Sequence, residues 1–104
     1  MRIQELIGTD MSDIKRDKQF YDMADAYISL ANTQLNETKP SRVSAAALFA
    51  ASRFNAFVIA AAAGSKEQLV VEKESAIAYF MDQYEKMLRE NLDEHLARFD
   101  QQGS

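Results

Sequence analysis

Few residues in this chain have the type and spacing to do chemistry. There is one histidine, His95, and no cysteine. A helical metal site sets its ligands one turn apart, three or four residues along the chain. At those offsets from His95 stand Asn91, Leu92, Arg98 and Phe99, none of which makes a ligand set with it. Nor does an Asp or Glu stand in the register of an acid–base pair, so His95 reads as a structural or surface residue. Carboxylates are plentiful from Glu72 to Glu94, but they alternate with Lys and Arg. They do not repeat the inward Glu-x-x-His pattern of di-iron bundles, and a solvated helix face explains them. No phosphate loop, G-x-S-x-G elbow or dinucleotide glycine run is present. We therefore expect no catalytic residue, no metal site and no cofactor.

Two polar residues do stand out of place. From Val43 to Ala63 the only polar residues are Ser44, Ser52, Arg53 and Asn55. An Arg on an otherwise apolar helix needs a partner or a route to water. If the helices before and after this one fold back as antiparallel hairpins, Asp25 falls level with Arg53 and Glu74 level with Asn55. Arg53, Asn55, Asp25 and Glu74 are thus the candidate polar cluster. It reads either as an interhelical clamp that fixes register or as a small polar ligand pocket.

The elements that position these residues are helices. Only three Gly and one Pro occur in 104 residues, too few for the turns of an all-β chain. The first helix is expected over 17–37. Asp13 or Asp17 caps it, and Phe20, Ala24, Tyr27, Ala31 and Leu35 recur at helical spacing. Thr38-Lys39-Pro40 ends it, because Pro disfavours helical geometry in the residue before it. The second, over 42–63, starts from Ser41 as N-cap and stops at Gly64, a natural residue for a left-handed cap. It is apolar all round and so is expected to be buried. The third runs over 66–100, with Ser65 and Gln68 forming a capping box. Its apolar side reads Val70, Ile77, Phe80, Met81, Tyr84, Leu88, Leu92, Leu96 and Phe99. The expected fold is all-α, a three-helix antiparallel bundle with a long third helix. Residues 1–12 form a flexible tail and 13–100 a single helical domain.

Composition bounds the partners. Lys and Arg number 12 against 16 Asp and Glu, for a net charge of −4. The basic residues form no stripe, which argues against nucleic acid. Arg53 and Asn55, near the middle of the apolar run, argue against a membrane span, since a central Arg costs ~2.5–3.5 kcal/mol. No signal-peptide core is visible at the N-terminus, and the expected location is the cytoplasm.

Two mismatches point to self-association. The face of the second helix carrying Ala45, Phe49, Ala56 and Ala60 has nothing to meet in a three-helix monomer. The third helix outruns its neighbours by ~18–20 Å beyond Met87, and that overhang still carries Leu88, Leu92, Leu96 and Phe99. We expect Phe49 and these four residues to form a homodimer interface, with the chain's own residues 1–16, which offer Ile3, Leu6, Ile7 and Ile14, as the competing cover for the overhang and a further protein partner as a second use.

The words Ala24-Asp25-Ala26-Tyr27-Ile28, Leu30-Ala31-Asn32, Val43-Ser44-Ala45-Ala46 and Ser52-Arg53-Phe54-Asn55-Ala56-Phe57 carry a family resemblance. So do Tyr79-Phe80, Tyr84, Met87-Leu88 and Asn91-Leu92-Asp93. Over residues 17–95 the chain resembles a family of small all-helical proteobacterial proteins known only as a domain of unknown function. That resemblance implies a bacterial cytosolic protein and brings no activity, cofactor or functional residue with it. Function thus stands between a non-catalytic, self-associating interaction module and a small-ligand binder or enzyme built on the Arg53 cluster.

Overall fold

The computed structural model describes residues 14–102; the expected tail 1–12 lies outside them. Helix α1 spans Lys18–Gln34, α2 spans Pro40–Ala63 and α3 spans Lys66–Gln101, and no strand occurs among the described residues. The all-α class and the long third helix are as the sequence predicts.

Each helix starts where side-chain chemistry can satisfy its free amides. The Asp17 carboxylate accepts from the Phe20 amide at 3.0 Å and caps α1. Ser65 Oγ accepts from the Gln68 amide at 3.2 Å and caps α3. The reciprocal half of that capping box is replaced, because the Gln68 side chain donates to Glu72 Oε1 at 2.9 Å. Helix α2 opens differently from the expectation. Lys39 is its N-cap, without a side-chain bond, and Pro40 rather than Arg42 is its first residue. Pro suits that position, since its missing N–H would lack a helical partner there anyway.

Helix α1 ends three residues early. The amides of Asn36 and Glu37 bond to the carbonyls of Thr33 and Gln34, three residues back, which tightens the chain into turns before Pro40. Between α2 and α3 the chain reverses on Gly64 at φ 74, the left-handed conformation that favours glycine.

The core is small and sits where α2 and α3 leave that reversal. Ile59 and Ala76 are buried there, with Ala62, Ala63, Leu69 and Phe80 packed round them. Val43, near the start of α2, is the third buried apolar residue. Burial of α2 as a whole is not what the structure has. Only Val43 and Ile59 of its 24 residues are buried, and Leu48, Phe49, Phe54 and Phe57 face solvent. Glu72, expected on a solvated face, is 4% exposed and belongs to the α2-facing side of α3.

The placement of α1 explains the thin core. In a fully antiparallel up–down–up order, α1 would begin level with the start of α3. Instead the Arg16 guanidinium bonds Glu90 at 2.7 Å, about 36 Å further along α3. The Cα radius of gyration is 16.6 Å, against about 13 Å for a compact chain of this length.

The reversal is the obvious place to perturb this frame. A Cβ at Gly64 would meet no atom within 4 Å, so its only cost is the left-handed backbone. Gly64→Ala is expected to lower unfolding free energy by about 1–2 kcal/mol in urea titrations, and Gly64→Asn by less.

Candidate functional site

The Arg53 cluster does not assemble. Arg53 is exposed, and its guanidinium carbon lies 5.7 Å from the ring centre of Phe49, one turn back on the same helix. Among the described residues no ion pair joins it to Asp25 or Glu74, both of which are exposed. Asn55 is half-buried. The predicted clamp assumed side-by-side hairpins, and the Arg16–Glu90 contact removes the register on which the height of Asp25 was reckoned. Arg53 instead takes the route to water, laying its cation on an aromatic face. His95 is exposed near the end of α3, beside Arg98, Phe99 and Gln102. No group of three or more His, Asp or Glu residues able to hold a metal occurs among the described residues.

What the helices do assemble is apolar surface. Helix α3 carries two apolar faces. The one on α2 comprises Leu69, Ala76 and Phe80, with Glu72 and Gln83 in the same row. The other comprises Ile77, Met81, Leu88, Leu92, Leu96 and Phe99, all exposed. At 3.6 residues per turn, Ala76 and Leu92 point about 160° apart, so the two faces lie on opposite sides of the helix. The outward face runs about 33 Å from Ile77 to Phe99. Its centre forms an open groove along Leu88, Leu92 and Leu96, edged by Glu85, Arg89 and Asp93. Leu92 is 54% exposed there.

Helix α2 adds a second uncovered surface. Phe54 and Phe57 sit 6.4 Å apart, tilted at 39°, and Phe49 stands under Arg53. All three rings are exposed. By length and composition α2 is apolar enough to cross a membrane, with a mean hydropathy of 1.6 over its most apolar stretch. Arg53 and Asn55 lie inside it.

Three pairs of ionised groups along α3 are bonded within one turn. Arg89 bonds Glu85 at 2.9 Å, Arg98 bonds Glu94 at 2.6 Å and Lys86 bonds Asp82 at 2.9 Å. Asp93 makes no ion pair among the described residues. Glu90 holds Arg16, and that bond, with help from Tyr21, raises the guanidinium pKa above its ordinary value. Burial of Tyr79 beside Phe80 pushes its phenol up in the same sense.

Sequence reasoning missed Glu72 and the choice of α3 face. The signal for Glu72 was present, since it falls three residues after Leu69 and four before Ala76. The face was harder to see, because both sides of α3 are apolar and the bulkier set is the one left outside.

These features define a small all-α protein that leaves apolar faces of α2 and α3 exposed. The chain belongs to the family of proteins of unknown function DUF3144, whose family model matches residues 20–96. The match takes in Leu88, Leu92 and Leu96 and stops short of Phe99. Neither a curated protein nor a solved structure matches the chain.

With no buried partner to orphan, Arg53→Ala is expected to shift stability by no more than about 0.5–1 kcal/mol, the scale of an exposed cation–π contact. A loss of several kcal/mol in chemical denaturation would restore the clamp.

Proposed function

We propose that this chain is a non-catalytic helical interaction module of the cytoplasm that works as a homodimer. The observation that carries the reading is the second apolar face of α3, opposite the face that packs on α2. A helix inside a self-sufficient monomer needs one such stripe, and a second one needs a second occupant.

The areas support the same reading. The chain exposes 8694 Å², roughly 2800 Å² more than a compact monomer of its mass should. An obligate dimer buries about 1000–2500 Å² on each partner, so a second copy can account for part of the excess. Phe49 and its neighbours on α2 belong to the same uncovered surface and are included in the proposed interface. The alternative of a small-ligand site would need Arg53, Asn55, Asp25 and Glu74 to converge, and Arg53 lies on Phe49 instead. A bilayer is a poorer occupant than a protein, because Arg53 would have to be carried into hydrocarbon at ~2.5–3.5 kcal/mol.

Light scattering of the pure chain, without detergent, should give a mass near twice 11.7 kDa at micromolar concentration. Its melting temperature should rise with concentration, as it must when folding and association are linked. A monomer with a concentration-independent melt overturns the reading. So does co-flotation of the chain with phospholipid vesicles in place of self-association.

A further inference from the structure

The groove on α3 carries charges that select one partner geometry. Leu88, Leu92 and Leu96 form its floor, and Arg89 and Asp93 lie along the same edge. On that edge Arg89 is bonded back to Glu85, and Asp93 has no ionic partner among the described residues. Two copies can meet along this face in two ways. In a parallel pair the Arg89 edge of one helix meets the opposite edge of the other, where Tyr84, Asn91 and His95 stand and no carboxylate does. In an antiparallel pair about a two-fold axis, each edge meets the same edge of the second copy with its direction reversed.

We propose that α3 is the seam of an antiparallel dimer, with the two-fold axis level with Asn91, midway in height between Arg89 and Asp93. The proposal rests on the homodimer reading above and adds the surface, direction and register. With the axis there, Leu88 of each copy stands within about 3 Å, along the helix axis, of Leu96 of the other, and Leu92 likewise of Leu92. Arg89 then stands level, along the helix axis, with the second copy's Asp93, and like charges are about 6 Å apart in height. The arrangement occurs twice by symmetry, so both Asp93 carboxylates gain a cation. The Glu85–Arg89 bonds extend into two three-charge clusters along one edge of the seam. The floor contributes the apolar burial, and the charges fix direction, since a slip or reversal leaves Asp93 unpaired or faces like charges.

Mixing two charge-reversed variants tests this directly. Arg89→Asp makes both central edge positions, 89 and 93, acidic, and Asp93→Arg makes both basic. In the antiparallel seam each variant alone opposes like charges across the axis, and the mixture opposes unlike ones. Native mass spectrometry of the equimolar mixture should therefore find heterodimer well above the statistical half. Each variant alone should dissociate more readily than the parent chain. Because the chain has no cysteine, Leu92→Cys supplies a single thiol. That variant should form a 92–92 disulfide under mild oxidation, and a mixture of Leu88→Cys with Leu96→Cys should form the 88–96 bridge.

The failures separate cleanly. If the parent is a dimer but the charge variants mix statistically and no bridge forms at 92, the α3 seam is wrong and self-association stands. If 92–92 bridges form and 88–96 bridges do not, the direction is wrong. If the parent is a monomer, both proposals fall together.

Discussion

Ile59 meets Ala76 where α2 and α3 leave the Gly64 reversal, and the disposition of the other apolar residues follows from that contact. A side chain as small as alanine lets the two helices approach closely, and Ala62 and Ala63 extend the close approach on the α2 side. Close approach on small residues fixes which face of α3 turns inward. It also fixes what is left outside: the larger Ile77, Met81, Leu88 and Leu92. The core thus sets Ile59, Leu69 and Phe80 against alanines, and most of the chain's other bulky residues stay outside it.

That distribution is expensive for an isolated chain. Fully burying a Leu or Phe side chain is worth about 1.5–3 kcal/mol, while fixing each backbone residue costs about 1–2 kcal/mol. A domain whose buried apolar residues are Val43, Ile59 and Ala76 recovers little of that cost by its own packing. The surface ion pairs do not make up the difference. Lys18–Asp22, Asp82–Lys86, Glu85–Arg89 and Glu94–Arg98 are all exposed i,i+4 pairs, worth a few tenths of a kcal/mol each. Folding and association are therefore coupled in the proposed dimer, and the outward face of α3 belongs to the stability of the fold as much as to its function.

How much of this the sequence discloses depends on the kind of signal. Asp17, Pro40, Gly64 and Ser65 punctuate the chain through backbone chemistry that acts locally, and the helices follow them to within a few residues. The exposed stripe at Leu88, Leu92, Leu96 and Phe99 is legible too, because four large apolar residues on one side of a helix overhang have nothing beside them to meet. The packing of α1 is not. Its position is set by Arg16 on Glu90, a contact across most of the chain that no periodicity encodes. Every height comparison between α1 and α2 inherits that gap, which is why Asp25 does not answer Arg53. Glu72 shows a subtler limit. A carboxylate among Lys and Glu reads as solvated, yet Gln68 one turn earlier supplies the donor that lets it be buried.

The uncovered face also has to be protected from the wrong occupant. An apolar stripe about 33 Å long could accept many helices, and a head-to-tail contact would propagate into filaments instead of closing. A two-fold seam closes after two copies, because each stripe is consumed by the same stripe on its mate. Charge on the edge is what distinguishes the two outcomes at similar apolar burial. Arg89 and Asp93 stand on one edge with opposite sign, so self-pairing about an axis level with Asn91 is complementary, while a copy displaced by a turn brings Arg89 toward Arg89 or Asp93 toward Asp93. The net charge of −4 adds a weak long-range repulsion against further copies. On α2 the same problem is met differently. Arg53 lies over Phe49 and keeps a cation at the middle of the most apolar helix, which makes hydrocarbon a costly destination for that face.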